Sequence, residues 1–238
     1  MGKRIITQKR GRGSPTYKSP GHRFKGRTKF VGTHKGKLAG KVIDLIACPG
    51  HYAPLMKVKY ENNLTVLLPA PEGIKVNDIL ESGNPKSAKA GTTLELRDIP
   101  EGTNIFNIEL QPGDGGKFVR SSGGFAKVVG KTGNNVIIKL PSKKEKLFNK
   151  KCRACIGIIA GGGRKEKPLL KAGNVMKAKR ARNKLYPIVA PNSMSAISHP
   201  YGNTRSLRKS KAKPVSKNAP PGRKVGAVAA RRTGRRKR

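Results

Sequence analysis

Residues 55–70 read "LMKVKYENNLTVLLPA". Two apolar runs, 55–60 and 63–70, are separated by Glu61-Asn62-Asn63, a polar triplet of the kind that turns a chain between strands. The same grammar extends in both directions. Upstream lies "LAGKVIDLIA" (38–47); downstream, after Pro71-Glu72-Gly73, lies "GIKVNDIL" (73–80). A second set follows: "TTLELRDI" (92–99), "NIFNIEL" (104–110), "GFAKVVG" (124–130), "NVIIKL" (135–140) and "KCRACIGIIA" (151–160). Gly133-Asn134-Asn135 suits a hairpin between the third and fourth of these. No segment among them carries a helical period. Eight or nine short strands, divided at "SGNPKSAKA" (82–90), predict a mainly β chain with two small barrels, over 37–88 and 89–163.

Charge frames these barrels. The 238 residues hold 53 Lys and Arg against 12 Asp and Glu, a formal net charge of +41. Residues 1–41 contain 13 basic residues and no acid; residues 42–163 contain 17 against 11; residues 164–238 contain 23 against one, Glu166. Such self-repulsion calls for a polyanionic partner. The long basic N-terminal extension (1–36) and C-terminal extension (164–238) are rich in Gly, Pro and Ser and are expected to be extended when free. Tyr17, His22, Phe24 and Phe30 interleave with the charges of the first arm, placed either to stack on bases or to dock on its own domain. In the second arm "NVMKAKRARNKLY" (174–186) predicts one short helix, with Asn174 as N-cap and Pro187 as terminator. No apolar run is long enough to cross a bilayer and no signal-peptide core is visible, so no membrane partner is expected and the protein is expected to be cytoplasmic.

Catalytic chemistry is poorly supplied. "SAISHPYGN" (195–203) places His199 near Ser195 and Ser198, but no carboxylate lies within 30 residues to orient the imidazole. The glycine-rich stretches 113–116 and 161–163 lack the phosphate-loop pattern and are read as places where backbone passes close to another group. Cys48, His51, Cys152 and Cys155 form two pairs with metal-ligand spacing and are candidate structural zinc ligands. Yet "KCRACIG" reads as a strand, where positions three apart face opposite ways, which favours buried thiols and no cofactor. What remains is phosphate binding by Arg and Lys on glycine-rich backbone. An irregular RNA surface suits it better than a DNA groove. Candidate contacts in the arms are Arg10, Arg12, Arg23, Lys25, Lys171, Arg180, Arg182, Arg205 and Arg208. A chromatin-like DNA-coating protein is the alternative of the same charge.

Four stretches then carry a resemblance: "RGRGSPTYKSPGHRFKG" (10–26), "IPEGTNIFNIELQPGDGGKFVRSSGG" (99–124), "CRACIGIIAGGGR" (152–164) and "APPGRKVGAVAARRTGRR" (219–236). In this order, and nearly end to end, they resemble the universal L-two family of large-subunit ribosomal proteins in its archaeal form. The resemblance implies an OB-like barrel followed by an SH3-like barrel and a non-enzymatic, structural role in translation. It further implies partners in large-subunit ribosomal RNA near the peptidyl transferase centre, in other ribosomal proteins and in small-subunit components across the subunit interface. Family RNA contacts carry over onto Arg120, Ser121, Ser122, Gly123 and Gly124, onto Arg164, and onto Arg223, Lys224, Arg231 and Arg232. His51 stands where the family has an arginine. His199 keeps its place while Ser195 and Ser198 replace the family's Asn and Asp. Both histidines are candidate RNA contacts, and direct participation of His199 in peptidyl transfer is the catalytic alternative.

Overall fold

Lys57 and Lys59 alternate with Met56, Val58 and Tyr60, a period of two that buries one face of a strand and wets the other. In the computed structural model, which describes residues 2–32, 36–83, 89–203 and 213–231, this stretch is strand β2 (Leu55–Tyr60), with both lysines exposed and the other four residues buried. It pairs antiparallel with β1 (Leu38–Ile46) and β3 (Thr65–Pro69). β4 (Ile79–Ser82) pairs with the other side of β1, which a bulge between Val42 and Asp44 lets bend around the core. β5 (Thr93–Glu95), β6 (Asn104–Phe106), β7 (Ala126–Thr132), β8 (Asn135–Lys139), β9 (Glu145–Asn149) and β10 (Arg153–Ile156) complete a sheet of order β3-β2-β1-β4-β5-β10-β6-β7-β8-β9. The chain is mainly β, an OB-like barrel followed by an SH3-like barrel with basic extensions.

The two halves keep separate cores. Val42, Met56, Val58, Leu68 and Leu80 fill the first, and Leu96, Ile99, Ile105, Val128 and Ile138 the second. β10 serves both, because alternate residues of a strand face opposite ways. Cys155 enters the first core, while Cys152, Ala154 and Ile156 enter the second. The strand slots between β5 and β6, so the last strand in sequence closes the middle of the sheet.

Turn chemistry sets the registers. After β2 the chain makes a three-residue loop in which Asn63 is left-handed (φ 61°), the Tyr60 amide donates to the Leu64 carbonyl (3.0 Å) and the Asn63 amide to Tyr60 (2.9 Å). The β8–β9 turn repeats it, with Lys143 left-handed (φ 64°) and amides of Leu140 and Lys143 donating to Lys144 (2.9 Å) and Leu140 (2.8 Å). The β7–β8 hairpin turns at Gly133 and Asn134, with Thr132 opposite Asn135.

Two expectations need correction. Residues 73–78 of "GIKVNDIL" form a turn, held by the Lys75 amide on the Asp78 carboxylate (2.7 Å), and the strand begins only at Ile79. β9 escapes a search for apolar runs because only Phe148 of its five residues is buried.

The chain forms two compact units, residues 21–170 and residues 1–20 with 171–238. Segments 21–32 and 164–170, read in the sequence as parts of the extensions, belong to the barrel unit; Phe30 and Val31 are buried in its first core. In the other unit the N-terminal arm is not extended throughout. It forms a helix, α1 (Ile6–Gly11), beside which the Lys3 amide donates to Ile197 (2.8 Å) and Gln8 Oε1 accepts from the Gly222 amide (3.2 Å). The predicted C-terminal helix is α2 (Ala172–Arg180), capped at Lys171 and not at Asn174. It ends before Pro187 because Asn183 turns left-handed (φ 48°), and amides of Asn183 and Lys184 return to Arg180 (3.0 Å) and Lys179 (2.9 Å), a Schellman closure. The last segment folds back on itself through a bridge between Val215 and Val228.

At the centre of the barrel unit Glu109 is fully buried. Its carboxylate accepts from the amides of Gly113 (3.2 Å), Gly115 (3.2 Å) and Arg153 (2.9 Å), and from the Arg153 guanidinium at Nε (3.2 Å) and Nη2 (2.9 Å). Removing one partner of a buried pair leaves an uncompensated charge. Glu109→Gln is expected to lower unfolding stability by about 3 kcal/mol or more, read as a fall in the urea midpoint with unchanged slope. Lys143→Gly, by contrast, relieves a left-handed non-glycine residue and is expected to raise the same midpoint by the equivalent of about 0.5–1 kcal/mol.

Candidate nucleic-acid interface

The loop from Leu110 to Gly124 owes its shape to acids and glycines. Asp114 accepts from the amides of Leu110 and Gln111, and Glu109 holds Gly113 and Gly115 from beneath. Gly116 (φ 88°) leaves no room for a side chain: a Cβ there would lie 2.4 Å from Asn107 Oδ1. Gly123 (φ 67°) is as tight, its Cβ position 2.6 Å from the Cα of Gly162. So "RSSGG" and "GGGR" touch backbone to backbone, as the reading of the glycine runs expects. The Gly123 amide donates to Ile159 (3.0 Å) and the Ile159 amide to Gly124 (3.2 Å).

This contact brings Arg120, Ser121, Ser122 and Arg164 to one open groove of about 690 Å³, which Lys117, Lys165 and the β8–β9 turn at Pro141 also line. Arg164 Nε donates to Ser122 Oγ (3.0 Å), and its guanidinium lies 3.8 Å from the centre of the Tyr52 ring. Arg120 donates from Nη1 to the Gly116 carbonyl (3.2 Å), and its half-burial lowers its pKa by making the charge harder to solvate. The same arginine lines a second hollow of about 440 Å³ with Phe24, Arg27, Lys29, His51 and Lys117. Among the described residues neither Arg120 nor Arg164 has a carboxylate within ion-pair distance. Glu166 lines the groove and Asp114 the second hollow, but neither forms an ion pair with these arginines. Guanidinium groups left unpaired beside glycine backbone suit phosphate oxygens.

Sequence reasoning named His51, Arg120, Ser121, Ser122 and Arg164 in this region but missed Arg27, Lys29, Lys117, Lys165 and Tyr52. Proximity to residues already singled out is the available signal: Lys117 lies within the stretch 99–124 and Tyr52 directly follows His51. Arg23 and Lys25 are exposed on the same unit, the Lys25 amide donating to Cys48 Sγ (3.4 Å). Of the interleaved aromatics, Phe30 is buried beneath the Arg153 guanidinium and Phe24 packs on Gly50.

The four candidate zinc ligands are not brought together. Cys48 Sγ lies 3.3 Å from His51 Nδ1, while Cys152 and Cys155 enter different cores, and no group of three or more His, Cys, Asp or Glu suited to a metal occurs among the described residues. Burial raises the Cys155 thiol to about 12, against its hydrogen bond with Thr93 Oγ1 (3.5 Å), and burial followed by Glu109 raises Cys152 to about 11. Both thiols stay protonated at neutral pH.

A family model described as "Ribosomal Proteins L2, C-terminal domain" matches residues 89–219. Over the whole chain the sequence is 48% identical to "Large ribosomal subunit protein uL2" of Methanothermobacter thermautotrophicus, with all of both chains covered. It is 51% identical to the protein of that name from Nanoarchaeum equitans and 47% identical to that from Methanocaldococcus jannaschii, again over all of each. The chain belongs to the uL2 family. It is thus a structural protein of the large ribosomal subunit.

In this uL2 chain the remaining candidates fall on the second unit, which contains 26 Lys and Arg and no Asp or Glu. Arg10 donates to the Asn183 carbonyl and stacks 5.5 Å from the centre of the Tyr17 ring. Arg12, Lys171, Arg180, Arg223, Lys224 and Arg231 are exposed, and Arg182 is half-buried, its carbonyl accepting from Ser19 Oγ (3.4 Å). Arg205, Arg208 and Arg232 lie outside the described residues.

His199 sits in a closed turn. Its Nδ1 accepts from the Tyr201 amide (3.1 Å), its ring meets Tyr201 edge-on at 5.1 Å, and Gly202 passes so close to Ser195 that a Cβ would lie 2.5 Å from the Ser195 carbonyl. Ser195 Oγ accepts from the Ile197 amide (3.4 Å), within the turn. Burial lowers the pKa of His199, and the Tyr201 amide adds to this by occupying the lone pair a proton would take. The folded turn therefore favours neutral imidazole; its stability is full above the ordinary histidine value near 6.5 and falls as pH drops below it. Amide protection factors across residues 195–203, taken relative to the intrinsic exchange rate at each pH, should fall between pH 7 and 5, and His199→Gln should flatten that dependence.

Proposed function

We propose that this chain binds large-subunit ribosomal RNA close to the peptidyl transferase centre, where it helps assemble that centre and supports subunit association, as a structural cytoplasmic component of the ribosome. The observation that carries the reading is the division of charge. One compact unit has 26 cationic side chains and no acid, and the other directs Arg120 and Arg164 into a groove whose one lining acid, Glu166, forms no ion pair with either. Only a polyanion neutralises the first, and phosphate oxygens fit the second. Tyr52, held beneath Arg164, adds an exposed ring on which a base can stack.

In this reading His199 packs within an RNA-facing turn and does no chemistry. Its acceptor nitrogen is engaged by the chain's own backbone, and no carboxylate exists in its unit to orient it as a base.

Binding to a large-subunit rRNA fragment should weaken steeply with salt, with a log–log slope of several units. Arg120→Ala and Arg164→Ala should each reduce affinity by about tenfold and the slope by about one, measured by filter binding or anisotropy. Salt-independent binding, or equal affinity and slope on duplex DNA of the same length, would overturn the proposal.

A further inference from the structure

The two ends of the ten-stranded sheet are finished differently. At β3 the outward carbonyl of Leu67 accepts from the Lys29 amide (3.3 Å), and Pro69 has no N–H to offer, so the N-terminal segment closes that edge. At β9 nothing comparable is present among the described residues; its one sheet partner is β8. The Leu140 amide bonds to Lys144 and the Lys150 amide to Asn134, and antiparallel alternation then turns residues 146 and 148 toward β8 and residues 145 and 147 outward. Glu145 and Leu147 therefore hold unpaired backbone donors and acceptors at an open edge.

The outer face beside this edge is apolar along one line. Leu147 stands opposite Ile137, which stands opposite Gly130 at a bulge that also turns Val129 outward. Leu147 is 60% exposed and Val129 44%. Lysines outnumber acids around the line: Lys127 and Lys139 lie in the adjacent row, which ends at Glu145, with Lys143 and Lys144 at the turn and Lys150 and Lys151 beyond the strand. The Lys146 ammonium is held in place over the Phe118 ring at 4.4 Å.

We infer that β9 is a docking edge for an extended acidic segment of a neighbouring protein, which adds a strand beside Glu145–Asn149 and sets an apolar side chain against Leu147. Charge complementarity requires the segment to be acidic. The edge geometry favours protein over RNA, because a peptide strand matches the alternating outward N–H and C=O groups with donors and acceptors at strand spacing, whereas RNA donors on 2′-hydroxyls and bases are not so spaced, and an exposed Leu–Ile–Val line has no use against a phosphate backbone.

The test uses the full-length protein with a short peptide alternating Glu and Val, the same peptide N-methylated at alternate residues, and an oligouridylate of equal charge. Amide exchange at Glu145 and Leu147 should slow by about tenfold or more with the plain peptide and remain unchanged with the N-methylated one. Leu147→Pro removes an outward N–H that β8 does not use, and it should abolish protection at Glu145; Leu147→Ser, which keeps the backbone and the charge, should weaken binding even if the proline variant fails to fold. Equal binding of the N-methylated peptide would reduce the effect to bulk charge and overturn the proposal. So would protection of the same amides by the oligouridylate with release of the peptide, which would assign this edge to RNA and leave the ribosomal RNA-binding role intact.

Discussion

Five hydrogen bonds converge on the carboxylate of Glu109, two from glycine amides of its own loop and three from Arg153. The arginine continues outward, donating from Nη1 to the Val31 carbonyl (2.7 Å) and covering the ring of Phe30. One buried ion pair thus ties together the strand shared by both cores, the loop leading to Arg120 and the basic segment that closes the β3 edge. Its stabilisation comes from dense pairing, since a buried carboxylate regains its lost hydration only when donors surround it, and each guanidinium nitrogen of Arg153 finds an acceptor.

From that anchor the groove follows in short steps. The loop above Glu109 can bend as it does because Gly116 and Gly123 leave no side chain in the way, and Gly123 meets Gly162 so closely that Ser122 and Arg164 become hydrogen-bond partners. Several acids are used where they hold backbone, as Glu109, Asp114 and Asp78 do, and others pair with exposed cations, as Glu81 does with Lys37 and Glu95 with Arg97, while Arg120 and Arg164 are left without an ion pair among the described residues. The acid-free unit takes this to its limit. Its internal order rests on backbone bonds and a few small apolar contacts such as Val225, the one buried residue among the described residues 213–231. A partner that supplies negative charge stabilises such a unit by binding its folded form.

Much of the strand pattern was legible because burial on one face imposes a period of two, and Met56, Val58 and Tyr60 show it. β9 was not legible. A strand at an open edge buries little, so Lys146 and Asn149 are as acceptable there as apolar residues. The cysteines read well as thiols on opposite sides of a strand, and Cys152 and Cys155 do enter different cores. The helix boundaries of α2 read poorly, since a left-handed asparagine closes a helix as well as a proline does and Asn183 gives no sign of it beforehand. Arg27 and Lys29 were invisible as neighbours of Arg120 because they reach it only when residues 21–32 lie on the first barrel, and Tyr52 as the partner of Arg164 because the two are far apart in the chain.

The sequence by itself determined the mainly β architecture, the acid-free arms and the demand for a polyanion, because alternation and net charge are local or additive and survive without coordinates. Only the tertiary structure decided which arginines share a groove, which sheet edge stays open and which acid sits at the centre. Those outcomes depend on residues far apart in the chain, Glu109 with Arg153, Gly123 with Gly162 and Lys29 with Leu67, whose meeting is set by packing and by the need to pair every buried charge.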